Sequence, residues 1–292
     1  MTINNDFAMN HMPKIAGIGE VLWDLLPGGK MLGGAPANFC YHAGRLGAET
    51  ALISAIGHDE YGQEIVELLN SKGLRYFLNH PNYPTGTVSV RLKEGIPEYT
   101  IHRDVAWDHI KPATEAFDWL TDADALCFGS LAQRSAVSAL AIHQALEMLP
   151  ADALKVFDVN LRQNFFDKQL LHQSFSKANV VKLNDEEIEV IGQLFDLKGT
   201  HKEKCIQLIN HYQLRMVALT LGSKGSWLLT PDKQSFMPVP KVKVADTVGA
   251  GDSFTAVLVT GLLMKKDLQQ IHSEATEYAA KVCTHKGAMP EF

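Results

Sequence analysis

Residues 246–254 read DTVGAGDSF, and how this string is parsed decides both fold and chemistry. An alternating run, VPKVKVA, precedes it and suits a strand or an extended loop; TAVLVTGLLM follows, apolar at helical spacing. Gly249-Ala250-Gly251 therefore form a turn with almost no side chain, opening a helix. Such a turn lets a charged ligand approach the backbone, and the free N–H groups and dipole of a helix start favour anions. Asp252 stands at the mouth of that anion site. Phosphoryl transfer needs both elements: donors for charge on the moving group and an acceptor for the nucleophile's proton. The same residues also make an ordinary helix N-cap, so the rest of the chain must arbitrate. Amides at a helix start predict an Asp252 carboxylate held below its usual range, a weak but ionised acceptor.

Near the other end lie GEVLWD, residues 19–24, and LGGAPANFCYHAGRLG, residues 32–47. Pro36 suits a first helical turn, and Phe39, Ala43 and Leu46 share one helical face. Gly33 and Gly34 would let a polyol lie against the backbone, Asn38 offers donors and an acceptor, and Asp24 can accept from two hydroxyls at once. KIAGIG, residues 14–19, begins like a dinucleotide fingerprint, but Val21-Leu22 follow where the third glycine belongs, which weighs against hydride transfer on a Rossmann turn.

ETALISAIG reads as a buried strand, and DEYGQEIVELLNSKGL as an amphipathic helix closed by Gly73. GTVSVRL and EYTIHR alternate around Glu94-Gly95-Ile96-Pro97, predicting a β-hairpin with one exposed face. His102-Arg103-Asp104 matches the HRD of a protein-kinase catalytic loop, but His109 stands where that loop needs Asn, and the other motifs of that class are missing. From residue 124 strands (ALCFG, LKVFDVN, NVVKL, RMVALTLG, SWLLT) alternate with helices (AVSALAIHQALEML, DEEIEVIGQL, HKEKCIQLINHY). That order predicts a mostly parallel sheet covered by helices on both faces, with ligands gathered at the carboxyl ends of the strands. The polar clusters DVNLR (158–162), NDEE (184–187) and TLG (220–222) fall there. NDEE is also a good N-cap with an acidic first turn.

The 292 residues carry a net charge of −6, with 46% apolar and 21% charged side chains. This is ordinary for a globular chain and argues against non-specific nucleic-acid binding. Four widely spaced cysteines without a CxxC suit a reducing, cytoplasmic setting. No apolar run approaches the ~18 residues of a membrane span. Residues 1–13 lack a signal-peptide core and read as a disordered lead to a domain over 14–292. No HExxH spacing predicts zinc and no GxxxxGK[ST] predicts a Walker loop.

The string at 246–254, with GEVLWD and LGGAPANFCYHAGRLG, resembles the two signatures of the ribokinase-like sugar kinases, the pfkB family. The resemblance runs from about Lys14 to Pro290. It implies a three-layer α/β/α fold with a mostly parallel central sheet and a small β-sheet lid, here residues 21–32 and about 85–104. Asp252 would be the catalytic base, and Gly249, Ala250 and Gly251 the anion hole. Asp24, Gly33, Gly34 and Asn38 would contact the sugar, joined by Arg103 from the lid and by Arg162. Asn184 and Glu187 match the family's NxxE motif for magnesium and phosphate placement through water, in keeping with the hydration Mg²⁺ retains. Thr220, Gly222 and Gly225 would face ATP, as would Val282 and Lys286 of YAAKVCTHKGAMP. In some members the last loop and Asp246–Val248 hold a potassium ion; here Glu291 replaces the serine ribokinases often carry after that turn. GEVLWDLLP with GGAPANFCYHAGRLG is most like fructokinases, implying D-fructose as substrate. A 2-keto-3-deoxygluconate kinase, to whose acidic sugar Arg162 would be suited, and a non-catalytic sugar sensor stay open. The partners implied are ATP, a small sugar and a second copy paired through the lid.

Overall fold

The computed structural model describes residues 12–26, 28–93 and 96–292; the expected lead at 1–13 lies outside them except for Met12 and Pro13. Strand β1 (Lys14–Ile18) leads directly into β2 (Leu22–Leu26) and β3 (Gly29–Gly33), then helix α1 (Ala35–Arg45) and strand β4 (Glu49–Ala55). Next come α2 (Glu60–Ser71), β5 (Arg75–Asn79), the hairpin β6 (Gly86–Lys93) and β7 (Ile96–Ile101), and α3 (Thr114–Leu120). The regular part follows: β8 (Ala125–Phe128), α4 (Ala136–Met148), β9 (Leu154–Asp158), α5 (Lys168–Lys177), β10 (Val180–Asn184), α6 (Asp185–Phe195), α7 (His201–Tyr212) and β11 (Met216–Thr220). Strands β12 (Ser226–Leu229) and β13 (Gln234–Met237) precede α8 (Ala250–Leu263) and α9 (Leu268–Val282).

The large sheet has the order β13-β12-β11-β10-β9-β8-β1-β4-β5. It is parallel from β5 to β11, with β12 and β13 antiparallel at one edge. Side-chain alternation along its strands builds two cores. Ala16, Ile18, Leu126, Phe128, Val181, Val217 and Leu219 pack on one face with α4 to α7, through Ile142, Phe175, Ile188 and Leu208. Ile15, Cys127, Val180, Met216 and Ala218 pack on the other with α1, α8 and α9, through Phe39, Val257 and Ile271. A strand covered on both sides has no polar face to show, which is why these strands read as nearly continuous apolar runs. The result is the expected helix–sheet–helix stack.

A separate sheet has the order β3-β2-β6-β7. Its central pair, β2 and β6, is parallel, so it is stitched from two distant parts of the chain. The hairpin is tighter than its composition suggests. Ile96 and Pro97, expected in the turn, pair with Lys93 and Leu92 in the ladder; proline tolerates that place because β7 is an edge strand that can do without one donor.

Candidate active site

The GAG turn sits where β13 returns through an irregular loop, residues 238–249, into α8. Gly249 is the N-cap of that helix at φ 79°, a left-handed conformation costly for residues with a Cβ. A Cβ there would also lie 2.7–2.8 Å from backbone and side-chain atoms of Ala288. Asp252 occupies the first turn of α8, half-buried on the wall of a cleft of about 1390 Å³ between the large sheet's carboxyl ends and the small sheet.

Across the cleft, α1 begins at Gly34, with Pro36 in its first turn. Asn38, one turn in and 4% exposed, donates its side-chain N–H to Asp252 Oδ2 at 2.7 Å. The two sequence signatures, 214 positions apart, thus meet in one hydrogen bond. Asp24 on β2 lines the same end of the cleft, with Gly33 and Gly34. A Cβ at Gly33 would collide with Asp24 Oδ2, so glycine leaves the carboxylate room. Burial raises the Asp24 pKa, and the Arg162 cation lowers it in part. Arg162 is exposed at the rim of the lining.

The expectation of a depressed Asp252 pKa is overturned. Burial first, then the charge of Asp158, push it up to about 6, against the pull of Lys182, Asn38 and Arg162. Loss of hydration and a like charge outweigh the helix start. The opposing pair is itself part of the floor. Lys182 donates from Nζ to Asp158 Oδ1 at 3.0 Å, both side chains under 10% exposed. Thr255 Oγ1 donates to Asp158 Oδ2 at 2.9 Å. Lys182 Nζ also lies 2.8 Å from where a Cβ on Gly251 would be, so the ammonium rests against the GAG turn. Its pKa rises to about 12; burial opposes the rise, and the charges of Asp158, Glu187 and Asp252 overcome it.

Asn184 and Glu187 form the capping box of α6. Asn184 Oδ1 accepts from the Glu187 N–H and Glu187 Oε2 from the Asn184 N–H, each at 2.8 Å. Glu187 Oε1 accepts from the Leu161 N–H at 2.9 Å. Both carboxylate oxygens are therefore engaged by backbone, and a metal could be reached only through remaining lone pairs or water. Burial raises the Glu187 pKa, with Lys182 the strongest opposing influence. Thr220, Gly222 and Gly225 line the far end of the cleft.

Three expected contacts are not brought there. The α9 residues lining the cleft are Thr276, Ala279, Ala280 and Cys283, one helical face. Val282 points away from that face and is 1% exposed. Lys286 is exposed in the following loop and outside the lining. Arg103 places its guanidinium 4.7 Å above the Phe165 ring instead of in the cleft, a cation–π contact that holds it aside. In the last loop, Asp246 accepts from the Val248 N–H at 3.1 Å and the Gly287 N–H at 3.0 Å.

Sequence reasoning passed over Glu20, Lys182 and Gln163, all of which line the cleft. Lys182 left a usable trace: it pairs in register with Asp158 on the adjacent strand, and opposite charges near the carboxyl ends of two buried strands are seldom accidental. Glu20 left none, since a carboxylate between two strands resembles any polar interruption.

Among proteins of known sequence, the chain is 30% identical over 296 residues to a sugar kinase of Pyrococcus horikoshii, covering 94% of this chain and 91% of that one. A crystal structure of that protein in complex with ATP superposes with a TM-score of 0.77 at 28% identity, covering 94% of each chain. Fructokinase of Escherichia coli is 29% identical, covering 94% of this chain and 95% of its own length. A double mutant of Vibrio cholerae fructokinase, in a fructose, ADP and potassium ion bound form, superposes with a TM-score of 0.75 at 26% identity, covering 95% and 94% of the two chains. The fold is ribokinase-like. Residues 28–291 match the family model of the pfkB family carbohydrate kinases, and with both signatures facing one cleft, the chain belongs to that family.

Proposed function

We propose that this carbohydrate kinase phosphorylates D-fructose to fructose 6-phosphate with ATP, Asp252 being the base. The observation that carries the reading is the Asn38–Asp252 hydrogen bond, which puts a sugar-side residue and a proton acceptor within one contact of each other. Asn38 holds one Asp252 oxygen and so orients the other toward the attacking hydroxyl. With a pKa of about 6, Asp252 is ionised at neutral pH yet basic enough to take a proton late in a loose transition state. The Gly249–Gly251 amides and the Lys182 ammonium face the transferring group. ATP would lie from Gly222 and Gly225 along the small-residue face of α9, where Ala279 and Ala280 leave room for a flat base. Magnesium would neutralise phosphate charge, and Glu187 and Asn184 would hold its waters. The small sheet, with Asp24 on one of its strands, would close over the sugar and exclude water. The outer edges of strands β3 and β7 are unpaired among the described residues, which leaves an edge for a second copy.

An acidic sugar is the runner-up, on the strength of Arg162. The acids of the lining favour a neutral polyol: Glu20, Asp24 and Asp252 line the cleft against the cations Arg162 and Lys182, and Lys182 is already paired with Asp158. A coupled ADP-release assay over a sugar panel decides. Fructose should give the highest kcat/KM; a preference for 2-keto-3-deoxygluconate, or no turnover of any sugar, overturns the proposal.

A further inference from the structure

Two buried acceptors at the sugar end of the cleft have no hydrogen-bond partner among the described residues: Glu20 Oε2 and Asn38 Oδ1. Both side chains are 4% exposed and both line the cleft. Glu20 lies in the short link between β1 and β2, and its backbone oxygen backs onto Gly34, where any Cβ would collide with it. The residue is thereby pinned at the start of α1, beside the helix that carries Asn38. Its carboxyl is pushed up to about 7, by burial foremost; its own amide, Arg162 and the Ala35 amide pull it down, while the Asp252 charge raises it further.

A buried acceptor with no donor is an unfavourable arrangement that proteins rarely keep without cause. Here two such acceptors share the lining with the residues already assigned to sugar. What satisfies both is a ligand rich in hydroxyl donors, and a sugar brings several. Among the described residues, Glu20 has no ion-pair partner that would give it a structural reason to be acidic. A glutamine would keep its shape without the cost of burying a charge.

We propose that Glu20 is a specificity residue for the sugar, its free carboxyl oxygen receiving one substrate hydroxyl next to the hydroxyl that Asp252 receives. The inference rests on the sugar-kinase reading of this cleft but not on fructose in particular. It also favours a neutral polyol, since a substrate carboxylate in place of the hydroxyl that meets Glu20 would face like charge whenever Glu20 is ionised.

The test is a cycle between Glu20 and the substrate's hydroxyls. The wild type is first run over the sugar panel, and the best sugar is carried forward with its monodeoxy analogues, so that the identity of the sugar and the role of Glu20 are judged separately. For the wild type, deletion of one hydroxyl should lower kcat/KM by about 10–100-fold, the worth of a hydrogen bond to a charged group. In Glu20→Ala the same deletion should cost less than about threefold, other deletions should keep their full effect, and the KM for ATP should stay within about twofold. Should Glu20→Ala fail to fold, Glu20→Gln keeps the shape and should shrink the same single penalty, leaving the others. Equal penalties in variant and wild type at every position overturn the proposal. So does a variant that raises the KM for ATP as much as that for sugar, since Glu20 would then serve only to anchor α1.

Discussion

The pH dependence of turnover is the sharpest consequence of the Asp252 environment. Burial and the Asp158 charge raise its pKa from 3.8 to about 6. A base acts only when ionised, so activity is present above that pKa and lost as pH falls through it. At pH 5 a group of pKa about 6 is roughly a tenth ionised, whereas an ordinary aspartate would be more than roughly nine-tenths ionised. The log of kcat/KM should therefore bend near pH 6, and kcat/KM should fall about tenfold per pH unit below it. Glu20 also titrates nearby, at about 7, so the profile is repeated in Glu20→Gln, where the limb near 6 must survive. In Asp252→Asn the limb should vanish and kcat should fall by about 10²–10⁴, while calorimetry shows sugar and ATP bound nearly as before. The assay is initial-rate kinetics at saturating MgATP from pH 5 to 8.5. A profile flat down to pH 5, or a variant keeping more than about a tenth of parental kcat with chemistry rate-limiting, would remove Asp252 from the mechanism.

Other outcomes follow from the same geometry. Gly249→Ala adds a Cβ at φ 79° against Ala288 and should cost at least about 1 kcal/mol in urea unfolding as well as kcat, because the anion turn must move. Glu187→Gln loses an acceptor for one of its two backbone donors and should cost about 1 kcal/mol; if it also orders magnesium, the Mg²⁺ titration shifts to higher concentration, and an unchanged titration reduces it to a cap. Glu20, raised from 4.5 to about 7, binds its proton more tightly folded than unfolded, so its contribution to stability falls as pH rises between those values. Glu20→Gln should therefore make the sugar-free protein about 3 kcal/mol more stable at pH 8 and little different at pH 4; equal gains at both pH values would refute this. Amides of β6 and β7 should exchange more slowly at saturating sugar, and an unchanged rate would count against a closing sheet.

Much of this was legible in the sequence because the chemistry is concentrated in contiguous strings. GAGD needs its two glycines within three residues and its aspartate in the first helical turn, and GGAPAN likewise combines turn and helix start. The parallel sheet was legible through its apolar runs. The edge strands β5 and β13 were not, since half-exposed RYFLN and QSFM lack a strong period. What stayed hidden depends on distance across the fold. Neither the environment that raises Asp252 nor the solitary carboxyl of Glu20 leaves a local pattern. Val282 and Lys286 fall outside the lining for a related reason: the family string marks the end of α9 and the loop after it, but only the fold says which of its side chains face the cleft.

The contact between Asn38 and Asp252 joins residues 214 positions apart, and this imposes an order of events during synthesis. At about 5–20 residues per second, Asp24, Gly33, Gly34 and Asn38 leave the ribosome roughly 10–40 s before Asp252, the proposed base. Throughout that interval the nascent chain carries the cleft residues of β2 and α1 without Asp252. A chain stalled or cleaved before α8 would lack Asp252 and, on the proposed mechanism, could not consume ATP, so turnover itself would signal that translation has passed this helix.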